Sequence, residues 1–512
     1  MTKFPIAALL LSTTSLIAAP TGGSPCDSLS KLNLPNVTIN SAQSVAAGAF
    51  TPPPTPAGPP GGPLGNPAPF KSVPEFCRVM ATLTPSSDSD IKIEVWLPAS
   101  GWNNDFQAIG NGGWNGTIGY GPLAEGVKRG FATAATDTGH AGGSASFAMG
   151  HPEKLTDFAY RAVHEMTVTS KAIIQNYYGT APRYSYWNGC STGGRQGLKE
   201  AQKYPADFDG IVDGAPANYQ THLHVWSVWL AQQVNKTPDS FLSPEKLGVL
   251  HKAVLAACDA ADGVKDGLLN DPTKCHFDPK TIECKGEDLP TCLLPAQVAA
   301  VQAIYAGPEN AAGKKIFPSY EPGSELGWSL LAGKQGSPVA TDSFTYVVYK
   351  NPNWDWRTMN LESDVAAIEK SYGNLIDATD PNLKPFFGHK GKLLMYHGWA
   401  DMAIAPGNSI NYYESVVKNL GGEKKAADDI RLFMVPGMGH CGGGGGPNDF
   451  DKMTAIQDWV EHGKAPEQMI ASHSAKGAVD RTRPLCPYPQ VARYKGTGST
   501  DDAANFTCAV AK

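Results

Sequence analysis

The sequence has no excess of positive charge, no internal repeat and no long apolar run beyond its first twenty residues. Its 42 Lys and Arg are outnumbered by 48 Asp and Glu, so the net charge is −6 and the pI is near 6.1. Without a basic face there is nothing to hold a phosphate backbone, and we expect no nucleic-acid partner. No later segment is apolar enough to cross a bilayer, so we expect no membrane partner either. The 512 residues suit one large globular domain with an insertion, or two to three domains.

The sequence also lacks any C-x-x-C pair, although it contains 10 cysteines. That absence argues against a zinc ribbon or a thiol-redox site. An even number of cysteines in an exported chain is typical of disulfides, with no thiol left over. Closeness in the sequence predicts three local bonds and one that closes the N-terminal arm: Cys258 with Cys275, Cys284 with Cys292, Cys486 with Cys508, and Cys26 with Cys77. Cys190 and Cys441 remain, far apart in the chain.

Residues 1–19 have the pattern of a secretory signal peptide. Lys3 precedes the apolar run from Phe4 to Ala19, which has the length of a signal-peptide core and is too short to span a bilayer. We therefore expect a secreted, extracellular protein. Four N-glycosylation sequons agree with a eukaryotic secretory route, and they begin at Asn36, Asn115, Asn235 and Asn505.

Strand patterns and helix patterns alternate in two parts of the chain. Strands are predicted at residues 79–83, 91–97, 106–109, 131–136, 183–187, 208–212, 392–396 and 431–435. Helices are predicted at residues 155–178, 195–204, 243–257, 406–420 and 451–462. Such alternation predicts an α/β fold with a parallel sheet covered on both faces.

The segment Gly189-Cys190-Ser191-Thr192-Gly193 lies where a strand pattern meets a helix pattern. G-x-S-x-G at such a turn is typical of the nucleophile elbow of an α/β-hydrolase. Small residues are needed there because the backbone is strained and the helix passes close to the strand. Ser191 would stand at the top of the sheet, and the Thr192 N–H would point at a developing oxyanion. The motif alone is a weak signal, and the flanking strand and helix strengthen it.

Candidates for the catalytic acid and base come from the chain order Ser, Asp, His that this fold requires. Asp401 follows the strand pattern at 392–396, and His440 follows the one at 431–435. We therefore predict a triad of Ser191, Asp401 and His440. Rival residues lack the strand-end position or the chain order; they are Asp428, Asp429, His397, His462 and His473.

A glycine cluster, Gly110-Asn111-Gly112-Gly113, follows the strand pattern at 106–109. In an α/β-hydrolase the loop after this strand supplies the second N–H of the oxyanion hole. We expect Gly112 or Gly113 to act there together with Thr192. The alternative is a plain tight turn.

Between residues 218 and 385 the alternation stops, and the chain becomes rich in Pro, Gly and Cys. We interpret this segment as a lid domain inserted into the sheet, so that residues 20–217 and 386–512 form the catalytic domain. It holds five of the eleven tryptophans, which we interpret chiefly as packing core, with an aromatic-binding cleft as the alternative. They are Trp226, Trp229, Trp328, Trp354 and Trp356.

Inside the insertion, an acidic loop closed by Cys258 and Cys275 carries aspartates with interleaved glycines. Ca²⁺ takes carboxylate and backbone carbonyl oxygens, and glycines let the chain curl around the ion. The loop lacks the terminal bidentate Glu of an EF-hand. We interpret it as a structural calcium site, and an acidic turn held by a disulfide is the alternative. The expected ligands are the carboxylates of Asp259, Asp262 and Asp266 and the carbonyls of Val264 and Leu268.

Cys190-Ser191, Asp401 and His440-Cys441 together form a CS-D-HC arrangement. With it the sequence resembles the tannase and feruloyl esterase family of secreted fungal enzymes, over nearly the whole mature chain. The resemblance implies an α/β-hydrolase core with a large lid that binds structural calcium, and a bond between Cys190 and Cys441. A free thiol at Cys190 is the competing hypothesis. Length and layout look most like a type B feruloyl esterase, although tannases have the same motif residues.

The function that the resemblance implies is that of a secreted serine carboxylic-ester hydrolase. It would release ferulic and p-coumaric acid from esterified plant cell-wall polysaccharides through an acyl-enzyme. Expected partners are small phenolic esters and feruloylated saccharides, and Ca²⁺ is the expected cofactor. One alternative is a tannase, which hydrolyses gallate esters. Another is a catalytically inactive binding protein on the same scaffold, against which the intact triad argues.

Overall fold

The computed structural model describes residues 23–53 and 70–510. The predicted signal peptide at residues 1–19 lies outside these ranges. Within them, the helices are all too short or too polar to cross a membrane.

A nine-stranded mixed sheet lies at the centre of the described chain, in the order β1-β2-β3-β5-β4-β6-β7-β8-β9. Its strands are β1 Val37–Val45, β2 Phe76–Leu83, β3 Ile91–Pro98, β4 Asp105–Ile109, β5 Ala132–Thr136, β6 Tyr184–Cys190, β7 Gly210–Gly214, β8 Lys392–Gly398 and β9 Ile430–Val435. Two C-terminal hairpins follow, from β10 Met469–Ala475 with β11 Ala478–Leu485 and from β12 Gln490–Tyr494 with β13 Phe506–Val510.

The expectation of a parallel sheet holds for one part of the sheet and is wrong for the other. Neighbouring strands from β5 through β4 to β9 pair in parallel. The pairs β1–β2, β2–β3 and β3–β5 are antiparallel. Residues 84–90 join β2 to β3 and are too few for the crossover that a parallel pair needs. The α/β class is as predicted.

The α-helices of the described ranges are α1 Tyr120–Lys128, α2 Pro152–Thr156, α3 Ala162–Tyr178, α4 Thr192–Lys203, α5 Gln220–Val234, α6 Pro244–Cys258, α7 Pro295–Ala306, α8 Pro338–Asp342, α9 Leu361–Ile368, α10 Asn374–Ile376, α11 Lys384–Gly388, α12 Gly407–Leu420, α13 Glu423–Ala426 and α14 Lys452–His462. On one face of the sheet, α3, α4 and α12 contribute to a common core. On the other, α14 and α1 pack through Trp459 and Leu123. Both faces are therefore covered, as parallel strands require.

Several elements were not predicted from the sequence. Among them are β1, α1, both C-terminal hairpins and most of the helices between β7 and β8, such as α5 and α7. β1 is an edge strand with a mostly exposed or half-exposed pattern and an irregular register between Ile39 and Ser41, so its hydrophobic alternation is weak. The helix predicted at 155–178 is interrupted, because a π turn at Asp157–Arg161 separates α2 from α3.

The segment between β7 and β8 contributes no strand to the central sheet in the described structure. Its helices supply most of one hydrophobic core, which also takes in Trp114 and Phe158 from before β7, and Trp226 and Trp328 are fully buried inside it. Trp229 and Trp356 are also buried, and Trp354 packs against the same cluster. The interpretation of these tryptophans as packing core is confirmed.

Candidate active site

Ser191 lies at the sharp turn between β6 and α4. Its backbone has φ 65° and ψ −122°, a conformation that non-glycine residues rarely adopt. The Ser191 N–H donates to the Gly214 carbonyl at 2.9 Å, and the Ala217 N–H donates to the Ser191 carbonyl at 3.0 Å. A Cβ at Gly189 would lie 2.3 Å from the Gly193 carbonyl oxygen, so the close passage of helix and strand requires glycine. The structure thus places Ser191 on the strand–turn–helix junction expected from the sequence.

Asp401 and His440 form a hydrogen-bonded pair on the loops after β8 and β9. His440 Nδ1 lies 2.8 Å from Asp401 Oδ2. Burial by itself would raise the pKa of Asp401, but the His440 and His397 rings outweigh it and hold that pKa below its usual range. Burial by itself would lower the pKa of His440, whereas the charge and hydrogen bond of Asp401 raise it overall. The Asp401 carboxylate is therefore ionised and fixes the orientation of the His440 ring.

His397 is a second partner of Asp401, and the sequence analysis had set it aside as a rival. Its Nε2 lies 3.1 Å from Asp401 Oδ2 and 3.1 Å from the Ile404 carbonyl oxygen, which are both acceptors, so Nε2 carries the proton. Its Nδ1 lies 2.7 Å from Ser409 Oγ. The only sequence signal was its spacing, four residues before Asp401 at the end of a strand. Its fully buried ring holds the carboxylate in place.

The asparagine of the glycine loop ties that loop to α4. The Asn111 N–H donates to Gln196 Oε1 at 3.0 Å, and Thr192 Oγ1 donates to the Gly113 carbonyl at 2.9 Å. The first N–H groups of a helix have no acceptor within the helix, which leaves that of Thr192 available. Among the described residues, the N–H groups of Gly112 and Gly113 also find no acceptor. Three N–H groups are thus unpaired beside Ser191.

The insertion contacts the loops on which these residues lie. Trp114, which follows Gly113, donates its indole N–H to the Val339 carbonyl at 2.8 Å. Tyr320 donates its hydroxyl to the carbonyl of Met402, next to Asp401, at 2.7 Å. Residues of the 218–385 segment therefore buttress both the glycine loop and the acid loop.

Comparison with known proteins decides the family. The sequence model described as "Tannase and feruloyl esterase" matches residues 77–509. The chain belongs to the tannase and feruloyl esterase family. An uncharacterized esterase from Xanthomonas campestris is 37% identical over 551 residues, which cover 98% of this chain and 92% of that protein. A probable feruloyl esterase B-2 from Aspergillus terreus is 36% identical over 508 residues, 94% of each chain.

The fold agrees with this family. The crystal structure of feruloyl esterase B from Aspergillus oryzae matches with a TM-score of 0.86 and 31% identity, over 94% of this chain and 99% of that one. The protein is accordingly a carboxylic ester hydrolase with an α/β-hydrolase-like core.

All ten cysteines of the esterase are paired, and no free thiol is present among the described residues. The bonds are Cys26–Cys77, Cys190–Cys441, Cys258–Cys275, Cys284–Cys292 and Cys486–Cys508. The predicted pairing is confirmed, and the hypothesis of a free thiol at Cys190 is wrong. Because Cys190 precedes Ser191 and Cys441 follows His440, one bond joins the serine loop to the histidine loop.

Replacing Cys190 and Cys441 together with alanine should lower both stability and kcat. The bond closes a span of 251 residues, for which the chain-entropy model gives roughly 5 kcal/mol. A shift of about 1 Å between the two loops can cost about a hundredfold in rate. Melting temperature and kcat should be measured at a temperature where the variant is folded.

The matched control for this pair is Cys26→Ala with Cys77→Ala, which opens a bond in the N-terminal arm. It should lower the melting temperature and leave kcat unchanged. If folded C190A/C441A kept the kcat of the wild type, the bond would have no part in positioning the two loops.

The three aspartates in the acidic loop of the esterase accept hydrogen bonds from backbone N–H groups of the same loop. The Asp259 carboxylate accepts from the N–H groups of Asp266 and Gly267, and the Asp262 carboxylate accepts from that of Val264 at 3.0 Å. Asp266 pairs with Arg483. Burial raises the pKa of Asp262, as do the charges of Asp266 and Asp259. Carboxylate oxygens are a ligand type that a hard cation takes.

The four sequons differ in their surroundings. Asn36 and Asn115 are exposed. Asn235 is exposed as well, but its amide nitrogen donates to the Ala231 and Gly333 carbonyls. Asn505 is half-buried and donates to the Ser499 carbonyl at 2.9 Å. A glycan at either of the last two would first have to break these bonds.

Proposed function

We propose that the protein is a secreted serine esterase that releases ferulic and p-coumaric acid from esterified plant cell-wall polysaccharides. The observation that carries the proposal is the joined pair of loops around Ser191. Asp401 and His440 pair across the loops after β8 and β9, Ser191 lies on the strained elbow after β6, and the Cys190–Cys441 bond joins the elbow to the His440 loop. This is the chemistry that acyl transfer needs: a nucleophile, an oriented base and N–H groups for the oxyanion.

In the acylation step, His440 takes the hydroxyl proton of Ser191 while the oxygen attacks the ester carbonyl. Asp401 stabilises the imidazolium that forms. The N–H groups of Thr192 and of Gly112 or Gly113 hold the negative oxygen of the tetrahedral intermediate. His440 then gives its proton to the leaving alcohol, and the acyl group stays on Ser191. Water, deprotonated by His440, attacks the acyl-enzyme and releases the free acid with Ser191 restored.

Support for a hydroxycinnamoyl acyl group comes from the relatives, since a relative and a structural neighbour are named feruloyl esterase B. Gallate-ester hydrolysis remains the alternative, because the family name covers tannases too. Catalytic-site geometry is the same for both. The distinction therefore rests on the acyl group that the enzyme accepts.

A side-by-side assay of methyl ferulate, methyl p-coumarate, methyl caffeate and methyl gallate tests the substrate class. We expect kcat/KM for ferulate or p-coumarate to exceed that for gallate by at least about tenfold, which corresponds to 1.4 kcal/mol in the transition state. A preference for gallate would make the protein a tannase. No turnover of any of the four esters would favour a binding protein.

The lid, export and modification belong to the same proposal. Residues 218–385 act as a lid over residues 20–217 and 386–512, supported by the contacts of Trp114 and Tyr320 across the segment border. Residues 1–19 are removed during export. The five disulfides suit an oxidising compartment. Asn36 and Asn115 are the sequons best placed to carry glycans.

The acidic loop binds one structural Ca²⁺ ion. Its ligands are the carboxylates of Asp259, Asp262 and Asp266 with the carbonyls of Val264 and Leu268. The ion neutralises Asp262, whose pKa is raised by burial and by the charges of Asp266 and Asp259, and it fixes a loop of the insertion rather than touching the ester. The donor set contains oxygens alone, which suits Ca²⁺.

Removing Ca²⁺ should lower the melting temperature of the wild type by several degrees and leave kcat at room temperature nearly unchanged. An ion bound only by the folded state stabilises it by mass action, about 2.7 kcal/mol at one hundred times Kd. Differential scanning calorimetry with EGTA and with added Ca²⁺ measures the shift. Asp262→Asn should abolish it.

Asp278→Asn is the matched control, because Asp278 caps a turn outside the loop through the Lys280 N–H. That variant should keep the full Ca²⁺ response. A wild-type melting temperature that does not respond to Ca²⁺ would refute the site.

A further inference from the structure

A second cluster of ionisable side chains lies outside the candidate active site, where α3 meets α4. It consists of His164 on α3, Glu200 on α4 and Asp207 in the turn before β7. One ligand atom from each residue lies within 4.8 Å of the other two. His164 Nδ1 is 2.6 Å from Asp207 Oδ2. Three side chains from three different segments thus converge on one point.

Glu200 has no partner for its charge in this cluster. The residue is 1% exposed, and neither carboxylate oxygen has a hydrogen-bond partner within the described residues. Burial raises the pKa of Glu200 well above its usual value, and the neighbouring charge of Asp207 raises it further. A buried carboxylate without a partner destabilises the fold unless a proton or a cation neutralises it.

The cationic groups nearby do not satisfy Glu200. Lys171 Nζ donates to the backbone carbonyl of Asp207 at 2.5 Å and to neither carboxylate. The charges of Lys171 and Lys203 both act to lower the pKa of Glu200, but the Lys203 ammonium group lies over the Tyr160 ring. Neither lysine therefore places its positive charge between the carboxylates of Glu200 and Asp207, where a bound cation would lie.

We propose that His164, Glu200 and Asp207 bind one divalent transition-metal ion of the Zn²⁺ class. One imidazole nitrogen with two carboxylate oxygens is a donor set that Zn²⁺ accepts and that Ca²⁺ and Mg²⁺, which prefer oxygen alone, do not favour. Zn²⁺ ligands about 2 Å from the metal stand roughly 3.3 Å apart in a tetrahedron. The distance from His164 Nδ1 to Asp207 Oδ2 is 2.6 Å, and the ligand atoms of all three residues lie within 4.8 Å of one another. The separation needed for Zn²⁺ falls between these two values. Small side-chain shifts would therefore suffice.

Access and orientation favour the site. The side chains of His164 and Asp207 are 25% and 14% exposed, so an ion can enter from solvent and keep a water in its fourth position. The His164 ring stacks on Tyr204 with centroids 3.7 Å apart, which fixes its plane. The bound ion would join α3 to α4, the helix whose N-terminus holds Ser191, and its role would be structural.

Untagged, metal-stripped full-length protein, kept in Ca²⁺ so that the acidic loop is occupied, is titrated with Zn²⁺ in a calorimeter. We expect one Zn²⁺ per chain and a rise in melting temperature. His164→Asn should weaken Zn²⁺ binding by at least about tenfold. Loss of a residue that only hydrogen-bonds to a metal ligand already costs about that much affinity, and loss of a ligand should cost no less. Glu200→Gln keeps the shape of the side chain and should weaken binding likewise.

His473→Asn is the matched control. His473 forms the same kind of pair, with Nδ1 2.6 Å from Asp480 Oδ1, but no buried third carboxylate joins it. Its Zn²⁺ binding should equal that of the wild type. The proposal is overturned if the wild type binds no Zn²⁺, or if both H164N and E200Q bind it as the wild type does. Glu200 and Asp207 would then share a proton. If H164N does not fold, E200Q decides.

Discussion

Replacing Ser191 with alanine is expected to lower kcat by about 10⁴-fold or more, with the fold and the affinity for substrate retained. The hydroxyl is the proposed covalent nucleophile, and the remaining rate would come from the oxyanion N–H groups and substrate binding alone. Alanine fits the strained turn as serine does, because it keeps the Cβ and removes only the hydroxyl. Steady-state kinetics on methyl ferulate, with a melting curve to confirm folding, measure the effect.

Ser415→Ala is the matched control, since Ser415 on α12 donates its hydroxyl to the Tyr412 carbonyl of its own helix. It should be silent. Activity of S191A within about tenfold of wild type would contradict the assignment of Ser191 as the nucleophile. Cys190 could not then take its place, because its sulfur is bonded to Cys441.

Asp401→Asn should lower kcat by about 10⁴-fold, a size known for this change in other triads. The amide cannot stabilise an imidazolium, and it favours the wrong tautomer of His440. The melting temperature should fall only slightly. In the wild type the N–H groups of Ala403 and Ile404 donate to Asp401 Oδ1, and the amide oxygen of the variant can still accept both. Kinetics and calorimetry on the same preparation separate the two effects.

The pH profile gives D401N a second readout. The base must be neutral to take the proton, so wild-type activity falls as pH falls through the pKa of His440, which Asp401 raises. Without the negative charge that pKa drops, because burial alone lowers it. The acidic limb of the remaining activity should therefore move to lower pH. An unmoved limb would show that Asp401 does not act through His440.

Asp429→Asn is the matched control for this pair of measurements. Asp429 lies just before β9 and pairs with Lys392 at 3.2 Å, partly exposed to solvent. A surface ion pair contributes at most about 1 kcal/mol. D429N should keep the rate and the pH profile of the wild type. If D429N lost activity and D401N kept the kcat of the wild type, the assignment of Asp401 as the catalytic acid would be wrong.

The sequence alone determined the central strands, most of the long helices and the residues around Ser191. These features have local causes. The helix at 244–258 begins at Ser243, whose side chain accepts the Lys246 N–H as an N-cap. The elbow needs Gly189 because a Cβ there would lie 2.3 Å from the carbonyl oxygen of Gly193, in the helix that follows directly. Chain order was enough to single out Asp401 and His440, since parallel strands end at the same edge of the sheet.

Only the tertiary structure decided the features that depend on residues far apart in the chain. Antiparallel pairing in the first strands, the role of His397 and the Glu200 cluster arise from contacts that no local pattern records. His397 is informative because its sequence position fits a surface histidine as well as it fits a buried partner of Asp401. What distinguishes the two is burial, and burial is set by which elements pack together. The bond between Cys190 and Cys441 depends on both the sequence and the tertiary structure. The resemblance to the family implied the bond, and the fold brings the two cysteines, 251 residues apart in the chain, to a Cα separation of 6.0 Å.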